Sequence, residues 1–134
     1  MIQRIQSLIL LLSALCSLII VFYFPVLHVR IYNSDNYIFL TDNTFFYPRL
    51  CIFLSVGLNI FSIFQFKNRN RQIIINQISK LFISIAFIII IFQRGELNFA
   101  IGLFLFVIPY SLIILANYLI RKDEKLVRSA DRIR

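Results

Sequence analysis

Four apolar runs, separated by short polar segments, set the layout of the chain. Residues 8–27 and 97–120 contain no charged side chain, and residues 48–66 contain only Arg49. Residues 74–93 are apolar except for Asn76, Gln77, Lys80, single serines and the terminal Gln93. A bilayer core of about 30 Å is crossed by about 20 helical residues, so each run predicts one membrane-spanning helix. Pro48 suits a helix start, where its missing N–H would be unpaired in any case. The first run is long and ends in Phe22-Tyr23-Phe24-Pro25 instead of small residues, which predicts an uncleaved anchor and not a signal peptide.

Polar residues inside the runs fall at helical spacing. Ser13 and Ser17 share one face of the first span, Ser55, Asn59 and Ser62 one face of the second. Asn76, Lys80 and Ser84 are read as one face of the third, with Asn117 of the fourth near them. Polar groups in hydrocarbon seek partners, so these faces are expected to meet inside a bundle. Each interhelical hydrogen bond contributes only about 0.6 kcal/mol on average, so the stripes select faces more than they drive association. Lys80 is expected to carry its ammonium to the headgroups along its apolar stem. Gly102 permits close approach, and Pro109 is expected to kink the fourth span.

The segments between the spans differ in kind. In residues 28–47, the β-prone runs 28–32 and 37–40 flank a turn-like 33–36 and predict a small outer hairpin. Tyr23 and Tyr47 fall where an interfacial aromatic belt would lie. Residues 67–72 form a short basic inner turn. In the tail, residues 121–134, Leu126, Ala130 and Ile133 stand at i, i+4 and i+7 with Val127 beside them, and Glu124 and Arg128 at i, i+4. This predicts an amphipathic helix that either lies on the inner leaflet or offers Leu126, Val127, Arg128, Ala130 and Ile133 to a protein groove. Asp123, Glu124 and Asp131 interrupt its positive charge, which argues against a purely lipid role and against nucleic acid.

Composition agrees with the pattern. Of the 134 residues 60% are hydrophobic and 15% charged, outside the range of a soluble domain and far from that of a disordered chain. With both termini inside, Arg4, Lys67, Arg69, Arg71, Lys80 and the six bases of the tail face the cytoplasm, 11 of the 14 basic residues, and only Arg30, Arg49 and Arg94 lie outside. That bias predicts a multi-pass inner-membrane protein with cytoplasmic N- and C-termini, its basic rim near anionic headgroups.

Candidate chemistry is sparse. All six carboxylates lie outside the spans, away from where a proton-coupled carrier needs one. Cys16 and Cys51 differ in predicted depth by about 12 Å, too far for a disulfide, and read as packing residues. His28 is the one histidine, and three glycines leave no phosphate-binding loop. Lys80 with Ser84 at i, i+4 is the one dyad that nucleophilic chemistry would accept, a spacing that any polar packing stripe also produces. No catalytic, cofactor or metal site is expected.

The N-terminal Met1-Ile2-Gln3-Arg4-Ile5-Gln6, the Lys67-Asn68-Arg69 turn and the tail from Ile120 through Arg121-Lys122-Asp123-Glu124-Lys125-Leu126 to Arg134 resemble an uncharacterised family of four-helix inner-membrane proteins from Bacteroidota, a domain of unknown function. The resemblance implies a bacterial inner membrane and no known activity. The expected fold is an all-α, four-transmembrane-helix bundle with an outer hairpin-like loop and a cytoplasmic amphipathic tail helix. The expected function is that of a non-enzymatic accessory or scaffold protein whose tail docks on a partner. The alternative is a small transporter or lipid-interacting protein using the Asn59, Asn76, Lys80 stripe.

Overall fold

The structure, a computed structural model, describes residues 2–31, 34–66, 68–93, 95 and 97–132. The apolar runs become helices α1 (Ile2–Tyr23), α2 (Phe46–Phe64), α3 (Arg69–Gln93), a short α4 (Ile101–Leu105) and α5 (Val107–Arg132). Each long helix buries residues in alternating steps of four and three. On α3 these are Gln72, Asn76, Ser79, Ile83, Ala86 and Ile90. On α2 the series is Pro48, Ile52, Ser55, Asn59 and Ser62, with Val56 buried beside it, and on α1 Gln6, Leu10, Ser13, Ser17 and Ile20, with Ile9, Ala14 and Val21 beside it. Steps of four and three average 3.5 residues, the repeat that keeps one seam inward between helices crossing at a shallow left-handed angle. α1 packs on α2 and α5, and α3 packs on the same two, which closes a ring of four; the α3–α5 seam is the slimmest. All four helices are long and apolar enough to cross a membrane.

Strands β1 (Leu27–Ile31), β2 (Ser34–Ile38) and β3 (Asn98–Phe99) form an antiparallel sheet in the order β2-β1-β3 at one end of the bundle. It corrects two expectations. The hairpin has a third strand, taken from residues 97–100 that had been assigned to the fourth span. The turn also moves: Ser34, Asp35 and Asn36 pair with Ile31, Arg30 and Val29, leaving only residues 32–33, which lie outside the described residues, to connect the strands. Burial sets this register. Leu27 is fully buried opposite Ile38, whose carbonyl accepts the Val26 N–H at 3.0 Å.

The sheet is tied to the fourth span through backbone. Ala100 N–H donates to Val26 O and Gly102 N–H to Pro25 O, both at 3.0 Å. The span then breaks at Phe106, between α4 and α5. Pro109 has no N–H for the Leu105 carbonyl four residues back, so the kink expected at Pro109 appears one turn earlier. A 3₁₀ turn, Asn43–Phe45, leads into α2, where Arg49 donates to Thr41 O at 2.6 Å and stands over the Phe46 ring.

The other end, which carries both chain ends, brings two further corrections. α3 starts at Arg69, so most of the expected basic turn is helical. The tail is not a separate helix: α5 runs without a break from Val107 to Arg132. Neither Gly nor Pro lies between residues 110 and 132, and nothing in the local sequence stops the helix.

Candidate functional site

The polar interior is assembled at the point where α1, α2 and α3 meet. Asn59 of α2 is fully buried and donates through Nδ2 to Ser13 Oγ of α1 at 3.2 Å, while its Oδ1 accepts from Ser79 Oγ of α3 at 2.8 Å. Ser55 Oγ lies 2.8 Å from Ser79 Oγ, and Ser13 Oγ donates to Leu10 O at 2.9 Å. Ser79 Oγ also lies 3.1 Å from Ser55 O; when it gives its proton to the nearer Asn59, the protons run from Ser55 to Ser79 to Asn59 to Ser13 to a backbone carbonyl. Ser17 returns its proton to Ser13 O in the same helix.

One turn nearer the chain ends, Asn76 Nδ2 donates to Asn117 Oδ1 at 2.8 Å and joins α3 to α5. Asn76 Oδ1, Ser62 Oγ and Gln6 Nε2 are buried at this level and beyond, without a hydrogen-bond partner among the described residues. Toward the sheet the core becomes wholly apolar, with Ile20, Val21, Ile52, Ile83, Ile90 and Ile113 buried. The polar groups thus occupy only the half of the core toward the chain ends.

The expected stripe of the third span divides. Asn76 is in the core, but Lys80 and Ser84 are only half-buried, and Ser84 Oγ donates to its own helix at Lys80 O, 3.1 Å away. Sequence reasoning passed over Ser79 and Gln72. Steps of four advance a helix by 40° each, so Asn76, Lys80 and Ser84 wind off the seam, whereas 72, 76, 79 and 83 stay on it. Extending the three-four pattern of the buried isoleucines backward would have found both residues. Lys80 and Ser84 flank the outer side of the α3–α5 seam instead.

Among the described residues no three His, Cys, Asp or Glu side chains are grouped to hold a metal. Cys16 and Cys51 are free and half-buried. His28 stacks at a tilt on Tyr37 in the sheet, their ring centroids 6.4 Å apart.

The tail is fastened at its first turn. Asp123 pairs with Arg69 Nη2 at 2.7 Å, and both side chains are mostly buried. Beyond that pair Leu126 is 52% and Val127 43% exposed. The helix continues through residues 128 and 130, whose side chains the structure does not describe, and Ile133 lies outside the described residues.

The profile of DUF4293, a domain of unknown function, matches residues 2–133. The chain belongs to this family. The match covers the spans, the sheet and the tail together, so all of these lie within the DUF4293 domain. No curated protein and no solved structure is detectably similar to the chain.

Proposed function

We propose that this DUF4293 protein is a non-enzymatic accessory or scaffold protein of a bacterial inner membrane, whose tail helix docks on a protein partner. The observation that carries the reading is the unbroken α5. About nine residues, or 13 Å of helix, extend past the Asp123–Arg69 pair, with Leu126 and Val127 exposed on that extension. A helix lying on the inner leaflet would have to turn at the end of the span, and α5 does not turn. The interior polar groups favour the same reading, because most of them bond to one another across helix boundaries and so hold the bundle together. The alternative, a transporter or lipid-interacting protein built on Asn59, Asn76 and Lys80, loses its single stripe when Lys80 leaves the core face.

The test is crosslinked capture from native membranes with full-length protein, with a chain ending at Lys122, and with the double variant Leu126→Asp, Val127→Asp. Capture of one partner by the full chain and loss of it in both variants, with Lys80→Met unaffected, is the expected result. Loss with Lys80→Met and retention with the tail variants would reverse the order of the two readings.

The bias of 11 basic residues toward the end with both termini supports a cytoplasmic placement of that end, with the sheet outside. A reporter active only outside the cytoplasmic membrane, fused after Arg134, should be silent and should become active when fused within the sheet after Ile38. Activity at Arg134 would invert the placement.

A further inference from the structure

The α3–α5 seam carries two recesses on its outer side, and their polarity changes along it. Toward the chain ends lies an open cleft of about 640 Å³. Arg121 and Lys125 of α5, one turn apart, and Asn70 and Gln77 of α3 supply its donors, Ile73 and Ile74 its apolar floor, and Glu124 one acidic edge. Toward the sheet the same seam opens into a groove of about 270 Å³ beside the α4–α5 break. Phe87, Ile88, Phe106 and Val107 line it, and it is almost wholly apolar. The Asn76–Asn117 bond fixes the level of the first recess. Arg121 and Lys125 stand about 6 and 12 Å nearer the chain ends than Asn117, and Asn70 about 9 Å nearer than Asn76. Cations and an amide therefore gather toward the chain ends of the cleft, with Ile73, Ile74 and then Gln77 toward the sheet, and the apolar groove follows as a separate recess.

We infer that this seam binds an anionic phospholipid, its phosphodiester held by Arg121 and Lys125 and an acyl chain lying over Ile73 and Ile74. The inference rests on the reading above only in placing this end at a membrane–water boundary. Charge favours this ligand: Arg121 and Lys125 outweigh Glu124, and Arg69 is neutralised by Asp123. A planar guanidinium and an ammonium one turn apart suit a tetrahedral phosphate, to which both donate charge-assisted hydrogen bonds. Basic recesses between spans on the cytoplasmic side are where such headgroups are held. A free phosphate would use the same donors but would leave the isoleucine floor and the apolar groove without purpose.

Native mass spectrometry of the full-length protein in detergent, with dioleoylphosphatidylglycerol or dioleoylphosphatidylcholine added, tests the assignment. Phosphatidylglycerol should be retained about tenfold more strongly, the order of one hydrogen bond to a charged group. Arg121→Gln and, independently, Lys125→Gln should abolish the preference, and Arg121→Lys should keep most of it. Lys122→Gln removes the same charge one residue away but outside the cleft, and should leave the preference intact. Equal losses in Arg121→Gln and Lys122→Gln would mean diffuse surface attraction and overturn the site, as would equal retention of the two lipids by the unaltered protein. Displacement of phosphatidylglycerol by excess inorganic phosphate would make a free anion the occupant and overturn the lipid assignment. Failure here leaves tail docking standing, because capture is read at Leu126 and Val127.

Discussion

Replacing Gly102 by Ala should destabilise the protein by about 2–3 kcal/mol, an overpacking cost joined to a weakened backbone hydrogen bond. A Cβ built at Gly102 would stand 2.4 Å from the Pro25 carbonyl oxygen and 3.0 Å from its carbon. The obstacle is backbone, so no rotamer change relieves it. It is also the carbonyl that accepts the Gly102 N–H, so the methyl group and the hydrogen bond compete for one space. Relief requires α4 to lift away from the segment that joins α1 to the sheet. Gly57 provides the control. It faces open space within α2, and Gly57→Ala should stabilise the protein by about 0.5–1 kcal/mol through helix propensity. A thermal scan with a thiol-reactive fluorophore reads both variants, since Cys16 and Cys51 are half-buried in the folded bundle. Equal midpoints for the two variants would mean that the close contact at Pro25 is not made.

Asn59→Asp should cost about 3 kcal/mol at neutral pH, the order of placing a carboxylate at the centre of a membrane helix. The shape of the side chain is retained, but the atom that donates to Ser13 becomes a second acceptor, and among the described residues no basic side chain is buried beside it. Asn59→Leu should cost less, about 1 kcal/mol, because it forfeits two interhelical bonds of modest worth while Ser79 keeps Ser55. Unfolding of the purified protein in increasing sodium dodecyl sulfate, followed by circular dichroism, gives the order. If Leu proved as harmful as Asp, the hydrogen bonds would matter more than the charge.

Much of the bundle was legible because its interior mixes polarity at regular spacing. Ser13, Ser17, Ser55, Asn59, Ser62 and Asn117 were each assigned to inward or partnered positions, and each is buried. On α3 Asn76, Lys80 and Ser84 form a conspicuous polar run in steps of four, whereas burial follows the isoleucines in steps of four and three. β3 was not legible, since two residues give no periodicity, and it exists only because the Val26 and Leu27 backbone needs partners on both sides. Gly102 was read as permitting close approach, correctly in kind, but its neighbour is the bent backbone of Phe24 and Pro25 and not another helix. The tail pattern was read correctly as helical; its continuity with the span was missed because the change from apolar to charged residues looks like a boundary. Polarity changes there, but backbone preference does not.

Continuity gives the tail a rotational phase. With no joint between the span and Arg132, the compass direction in which Leu126 and Val127 face is set by Ile113, Ala116 and Ile120, which are locked in the bundle below. One alanine inserted after Lys122 would turn the apolar stripe by 100° without altering a single side chain on it, and two full turns of inserted helix would bring it almost back. A partner reading this tail would therefore read an angle as well as a sequence.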